Sequence, residues 1–193
     1  MSTTISEEPI KLEKQTIVLE GATVRLAGDS GDGMQLAGTQ LTSSSALLGN
    51  DIATFPDFPA EIRAPRGTLA GVSGYQVHFS SQEIFTPGDF LNALVAMNPA
   101  ALKTNLCDLE IGGILIVDED SFAAKDLKLA AYDHNPLEDH SLDKYKLFKV
   151  PITMLTREGV KGLGLSQKEA DRCRNFFAMG RPLAIWPCRA PGG

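Results

Sequence analysis

Six consecutive residues have types and spacing suited to binding chemistry: Gly28, Asp29, Ser30, Gly31, Asp32 and Gly33. An apolar run with Val24, Leu26 and Ala27 leads into them, and a helix-compatible segment starts at Met34. A strand, a glycine turn and a helix form the first half of a βαβ unit. Backbone N–H groups at such a helix start lack intrahelical partners, and the helix dipole places partial positive charge there. A phosphate or carboxylate is the natural guest. Asp29 and Asp32 act in both directions, since they can cap a helix but repel phosphate.

Named motifs do not fit this turn. A Walker A loop needs Lys and Ser/Thr after its last glycine, and Met34-Gln35 follow here. The Rossmann fingerprint is GxGxxG, whereas the spacing here is Gly28-x-x-Gly31-x-Gly33. Gly31-Asp32-Gly33 mimics the opening of a thiamine diphosphate motif, but Phe58-Pro59-Ala60-Glu61 stands where its asparagines would be. A ligand-free tight turn therefore remains an alternative. Arg63 and Arg66 lie in a proline-rich loop and are either anion contacts or solvated charges paired with Asp57 and Glu61. His134 and His140 sit among Asp133, Glu138 and Asp139 with no metal-site spacing, so this stretch reads as an acidic surface loop. No catalytic set assembles from the sequence.

The elements that must hold these residues follow from hydrophobic pattern and punctuation. Expected strands are Thr23–Ala27, Ile52–Phe55, a half-buried Tyr75–Phe79, Phe90–Met97, Ile114–Val117 and Tyr145–Val150. Helices are expected over Met34–Leu48, from Pro99 through Leu109, near Phe122–Leu129, and from a capping box at Ser166 to Met179. Pro56 and Pro59 are expected to break the second strand. Gly38, inside the first helix, suggests close helix-to-sheet packing. Alternating strands and helices imply an α/β fold: a doubly wound, mostly parallel sheet with helices on both faces and an antiparallel element at Tyr75–Phe79. In such sheets ligands sit beyond the carboxyl ends of the strands, where the Gly28–Gly33 turn and Asp118 both fall.

Bulk properties narrow the class. The chain has 193 residues, 43% hydrophobic and 22% charged, enough for one full core. A net charge of −6 without a basic stripe argues against a nucleic-acid partner. No apolar run has membrane-spanning length, and the start lacks a signal-peptide pattern. Cys107, Cys173 and Cys188 form no CxxC, which argues against a cluster or structural zinc held by this chain alone and suits a reducing cytoplasm.

Four stretches, taken in order, resemble a known family. GDSGDGMQLAGTQL, FPDFPAEIRAPRGTLAGVSGYQVHF, NALVAMNPAAL and GGILIVDED are similar to the gamma domain of 2-oxoacid:ferredoxin oxidoreductases. The likeness is to the form fused within a larger alpha subunit, as in 2-oxoglutarate:ferredoxin oxidoreductase. It covers residues 22–180, with a leader over 1–21, in which Ile17–Leu19 is a candidate edge strand, and an irregular tail over 181–193.

The resemblance implies an enzyme that oxidatively decarboxylates a 2-oxoacid with coenzyme A, giving an acyl-CoA and reduced ferredoxin. It implies that thiamine diphosphate, magnesium and an iron–sulfur cluster sit on partner alpha and beta domains or subunits, and that this domain is inactive alone. By motif, Gly28, Asp29, Ser30, Gly31, Asp32 and Gly33 would face the nucleotide end of coenzyme A. Arg66, Gly67 and Thr68 would approach it from a second loop, and Asp118 from a third position. Standalone gamma subunits show a GGQG-like loop and an Arg-Gly-Gly where this chain has Gly31-Asp32-Gly33 and Arg66-Gly67-Thr68. A thiamine-binding domain would be expected after Gly180, so the chain reads as a truncated or frameshifted piece, or else as a short standalone subunit. A nucleotide-binding module without enzymatic activity and a purely structural assembly domain are the alternatives.

Overall fold

The computed structural model describes residues 19–58 and 71–185. Most of the leader and all of Arg66-Gly67-Thr68 lie outside those residues. The chain runs β1 (Gly21–Asp29), α1 (Met34–Leu47), β2 (Asp51–Asp57), β3 (Val72–Ser80), β4 (Leu91–Ala96) and α2 (Pro99–Asn105). It continues through β5 (Leu109–Asp118), α3 (Ala124–Leu129), β6 (Lys146–Val150), α4 (Ile152–Gly159), α5 (Gln167–Asp171) and α6 (Arg174–Ile185).

The strands form one six-stranded sheet in the order β2-β3-β1-β4-β5-β6. β1, β4, β5 and β6 pair in parallel, while β3 runs antiparallel to both β1 and β2. Alternate side chains feed two cores. Val24, Leu26, Val95 and Ile116 pack against Met34 and Ala37 of α1, Ile152 of α4 and Ala178 of α6. Ala27, Leu94, Leu115 and Val117 pack against Ala101 and Leu102 of α2 on the other face. The expected doubly wound α/β sheet is present. β1 passes the chain to one face and β4 to the other, so a crevice opens between their carboxyl ends.

Hydroxyls of α1 find acceptors on the helix itself and so do not compete for its N–H groups. Thr39, Thr42 and Ser43 donate to the carbonyls four residues earlier at 2.8, 2.9 and 3.0 Å. Its buried face is Met34, Ala37, Gly38, Leu41 and Ser45, at helical spacing. Leu36 and Leu47 fall off that face and are exposed. Asn98 caps α2, its Oδ1 accepting the Ala101 N–H at 2.8 Å, with Pro99 at the first helical position.

Several elements differ from expectation. β2 runs through Pro56, because it is an edge strand bonded only to β3 and one side needs no ladder donor. β3 is buried on both faces rather than half-buried. Its Gln76 is only 2% exposed: Nε2 donates to Pro87 and Gly88 carbonyls at 2.6 and 2.7 Å, and Oε1 accepts from Arg25 Nη2 at 2.6 Å. A polar residue in an alternating pattern is here a core hub. Leu109 opens β5 instead of closing α2, and Gly112-Gly113 lie inside β5 across a register shift, with Gly112 at φ +80. The capping box at Ser166 forms, but its helix stops at Asp171 and α6 starts separately. α6 then runs to Ile185, beyond the expected boundary at 180. α4 has no counterpart in the sequence reading.

Gly38 meets its expectation of close packing: a Cβ built there would overlap the ring of Tyr75 on β3. In Gly38→Ala, overpacking of about 1–3 kcal/mol outweighs the helix-propensity gain of about 1 kcal/mol. Urea unfolding should therefore show a lower midpoint. An unchanged or higher midpoint would mean that Tyr75 moves aside freely.

Candidate functional site

A cleft of about 660 Å³ opens over the carboxyl ends of β1, β4 and β5, beside the start of α4. Its floor is largely apolar, with Met97, Pro99, Ala100, Leu129 and Met154. Asp29, Asp32, Asn98, Ser121, Thr153 and Arg174 supply polar groups around it. This is the switch-point crevice that the topology demands.

The turn forms one wall and is closed on itself. Asp29 N–H donates to Asp32 Oδ2 at 2.9 Å, Ser30 N–H to Asp29 Oδ1 at 2.8 Å, and Asp32 N–H to the Asp29 carbonyl at 2.9 Å. Gly28 is the buried penultimate residue of β1. Gly31 is exposed, and Gly33 adopts φ +72, which favours glycine. Asp29 and Asp32 line the cleft.

Asp118 lies beneath the cleft and is fully buried. Its carboxylate accepts the Ile152 N–H at 3.0 Å, the Thr153 hydroxyl at 2.9 Å and the Ser121 hydroxyl at 3.0 Å. The resemblance implies a contact position at Asp118; in the structure its oxygens accept from donors at the start of α4 and from Ser121. Thr153 then accepts from Arg174 Nη1 at 3.2 Å, and Arg174 Nη2 donates to Asp32 at 2.8 Å. A continuous relay therefore links the end of β5 to the turn after β1.

Among the described residues, five carboxylates line the cleft, on Asp29, Asp32, Asp120, Asp126 and Glu158, against the guanidinium groups of Arg157 and Arg174. Both arginines are engaged: Arg157 forks onto Asp171 at 2.6 and 3.0 Å, and Arg174 pairs with Asp32. The sequence reading missed Thr153 and Arg174. Thr153 had a signal, since it follows a strand end marked by Pro151. Arg174 had none, because it meets Asp32 across 142 residues.

Asp118→Ala removes the cap of α4 and strands buried donors, at a cost of about 2–3 kcal/mol. Asp118→Asn keeps an acceptor and should lose less. Equal losses by chemical denaturation would show that charge rather than capping matters. Burial pushes the Asp32 carboxyl above its ordinary value of 3.8, opposed by the Asp29 N–H and Arg174. The folded protein thus holds this proton to higher pH than the unfolded chain. That contribution to stability is full below the unfolded value and is lost as pH rises through the folded one. The melting temperature of Asp32→Asn should gain on the parent as pH rises above the ordinary carboxylate value of 3.8. A flat difference would contradict the shift.

Residues 23–185 match the family model described as pyruvate ferredoxin/flavodoxin oxidoreductase. The chain is 51% identical over 168 residues to the 2-oxoglutarate oxidoreductase subunit KorA of Mycobacterium tuberculosis, covering 87% of this chain and 25% of KorA. It is 30% identical over 139 residues to the 2-oxoglutarate synthase subunit KorC of Methanothermobacter marburgensis, covering 71% of this chain and 67% of KorC. The chain thus spans a quarter of the length of the first of these relatives.

Two solved structures share the fold at 20% identity and TM-score 0.59. One is the gamma subunit of a keto/oxoacid ferredoxin oxidoreductase from Geobacter sulfurreducens, matched over 87% of this chain and 77% of that one. The other is 2-oxoglutarate:ferredoxin oxidoreductase from Magnetococcus marinus, matched over 91% and 32%. From β1 through α6, over residues 23–185, this chain belongs to the pyruvate ferredoxin/flavodoxin oxidoreductase family.

Proposed function

We propose that this chain is the gamma-type component of a 2-oxoacid:ferredoxin oxidoreductase, with 2-oxoglutarate as the acid. The enzyme oxidatively decarboxylates the acid with coenzyme A, forming an acyl-CoA and passing electrons to ferredoxin. This component assists coenzyme A binding and subunit assembly, works in the cytoplasm and is inactive alone. The observation that carries the reading is the 51% identity to KorA over 168 residues. Thiamine diphosphate, magnesium and the iron–sulfur cluster belong to partner alpha and beta domains or subunits.

The cleft supports the coenzyme role by its chemistry. An apolar floor with Asn98, Ser121 and Thr153 at its edge suits an elongated ligand with amide, hydroxyl and apolar portions. The coenzyme would lie against the Gly28–Gly33 turn, with Arg66, Gly67 and Thr68 approaching from the loop after β2. Asp118 would act from below, by fixing Thr153. The relative from Magnetococcus marinus was solved with 2-oxoglutarate, coenzyme A and succinyl-CoA. Exposed Phe58, Phe85, Phe90, Ile111 and Leu163 are consistent with an assembly role.

Reconstitution tests this directly. The chain mixed with thiamine-bearing partners should reduce ferredoxin when 2-oxoglutarate and coenzyme A are both present, and should do nothing alone. Calorimetry on the assembled enzyme should show coenzyme A binding that weakens in Arg66→Ala. Turnover by the partners that is unchanged without this chain, or no binding heat in the assembly, would overturn the reading.

A further inference from the structure

A carboxylate of the protein itself stands where a turn of this kind would hold a ligand's anion. Asp32 Oδ2 accepts the Asp29 N–H at 2.9 Å, and Oδ1 accepts Arg174 Nη2 at 2.8 Å. A main-chain N–H at a strand end and a guanidinium are the donors a phosphate would use there. The surroundings are shaped around this carboxylate. A Cβ added at Gly28 would lie 2.9 Å from Asp32 Oδ2 and 3.2 Å from Met97 Cβ, so a larger residue there would press on this carboxylate. Asn175, next to Arg174 on α6, donates to the Gly33 carbonyl at 3.2 Å and is itself buried. Two adjacent residues of α6 thus clamp both ends of the Asp32-Gly33 pair.

We propose that Asp32 is a specificity-determining residue, a resident carboxylate that occupies the anion-binding donors of the cleft. It reserves the turn end for an uncharged, hydrogen-bonding part of the ligand and turns phosphate away. The ligand's identity rests on the coenzyme A reading above. A phosphate entering at the turn would have to take Arg174 from Asp32 while facing that carboxylate and the one on Asp29. Among the described residues, the remaining carboxylates of the cleft carry the same sign, and the other guanidinium, on Arg157, is held by Asp171. The phosphates of a coenzyme are therefore directed away from the turn, unlike the nucleotide-end placement that the resemblance implies, and its neutral portion meets Asp29, Asp32 and Asn98.

Inorganic pyrophosphate is the probe, titrated calorimetrically into the full chain. The parent should bind it no better than millimolar. Asp32→Asn should gain affinity by about tenfold or more, and the gain should vanish in Asp32→Asn/Arg174→Gln. Asp32→Ser should behave as Asp32→Asn does, and it serves if the Asn variant does not fold. Micromolar pyrophosphate binding by the parent overturns the proposal whatever the variants do, and so does unchanged affinity in a folded variant. Coenzyme A titrated in parallel separates the two claims. Coenzyme A binding by the parent without a pyrophosphate gain in the variants removes only the role of Asp32. A pyrophosphate gain without coenzyme A binding, in the chain or in the assembly, removes only the coenzyme reading.

Discussion

The buried carboxylate of Asp118 is the constraint on which the cleft depends. A charge taken out of water is costly unless donors replace its hydration shell. Here the replacements are the Ile152 N–H, the Thr153 hydroxyl and the Ser121 hydroxyl. Because these donors come from two segments, satisfying the charge also fixes where α4 begins relative to β5. The side chain of Thr153 is then held at a set height at the cleft edge. A hydrophobic residue at position 118 could fill the same volume but could not orient α4.

From Thr153 the constraint passes to Arg174, and from Arg174 to Asp32. Each link joins a different element: β5 to α4, α4 to α6, and α6 to the turn after β1. The cleft wall is thus assembled from polar contacts between helices that share one face of the sheet. The opposite wall, carrying Asn98 and Ala100, belongs to α2 on the other face and is held by apolar packing of Ala101 and Leu102. One side of the crevice is therefore specified by hydrogen bonds and the other by burial.

Charge decides what such a crevice accepts. A glycine turn ahead of a helix is commonly linked with phosphate, because its N–H groups are unpaired. In this chain the N–H groups of Asp29, Ser30 and Asp32 are already taken within the turn. The same residue types that permit the turn also change its ligand preference. A second network, Arg25 with Gln76 and Asp108, ties β1 to β3 and to the segment after α2. It centres on the buried Gln76, whose partner Arg25 reaches from the sheet to the half-exposed Asp108.

The amino-acid sequence by itself determined what local chemistry can determine. Apolar runs ending in glycine, proline or asparagine marked β1, β4, α2 and the core of β5. The order of those elements implied a doubly wound sheet with a crevice at the strand ends. Gly38 announced close packing, and Ser166 with Glu169 announced a helix start. These features are short-range, so spacing reveals them. Tertiary structure alone decided the rest. Gln76 reads as a solvent-facing residue until Arg25 and the carbonyls of Pro87 and Gly88 surround it. Pro56 reads as a breaker until β2 is known to be an edge. Asp118 gives no local sign of its hydrogen-bond partners until α4 packs beside β5. Asp32 and Arg174 meet only when the chain has folded, because no pattern links two residues that far apart in sequence. Their pairing depends on which helices share a face of the sheet, and that is a property of packing rather than of any local stretch.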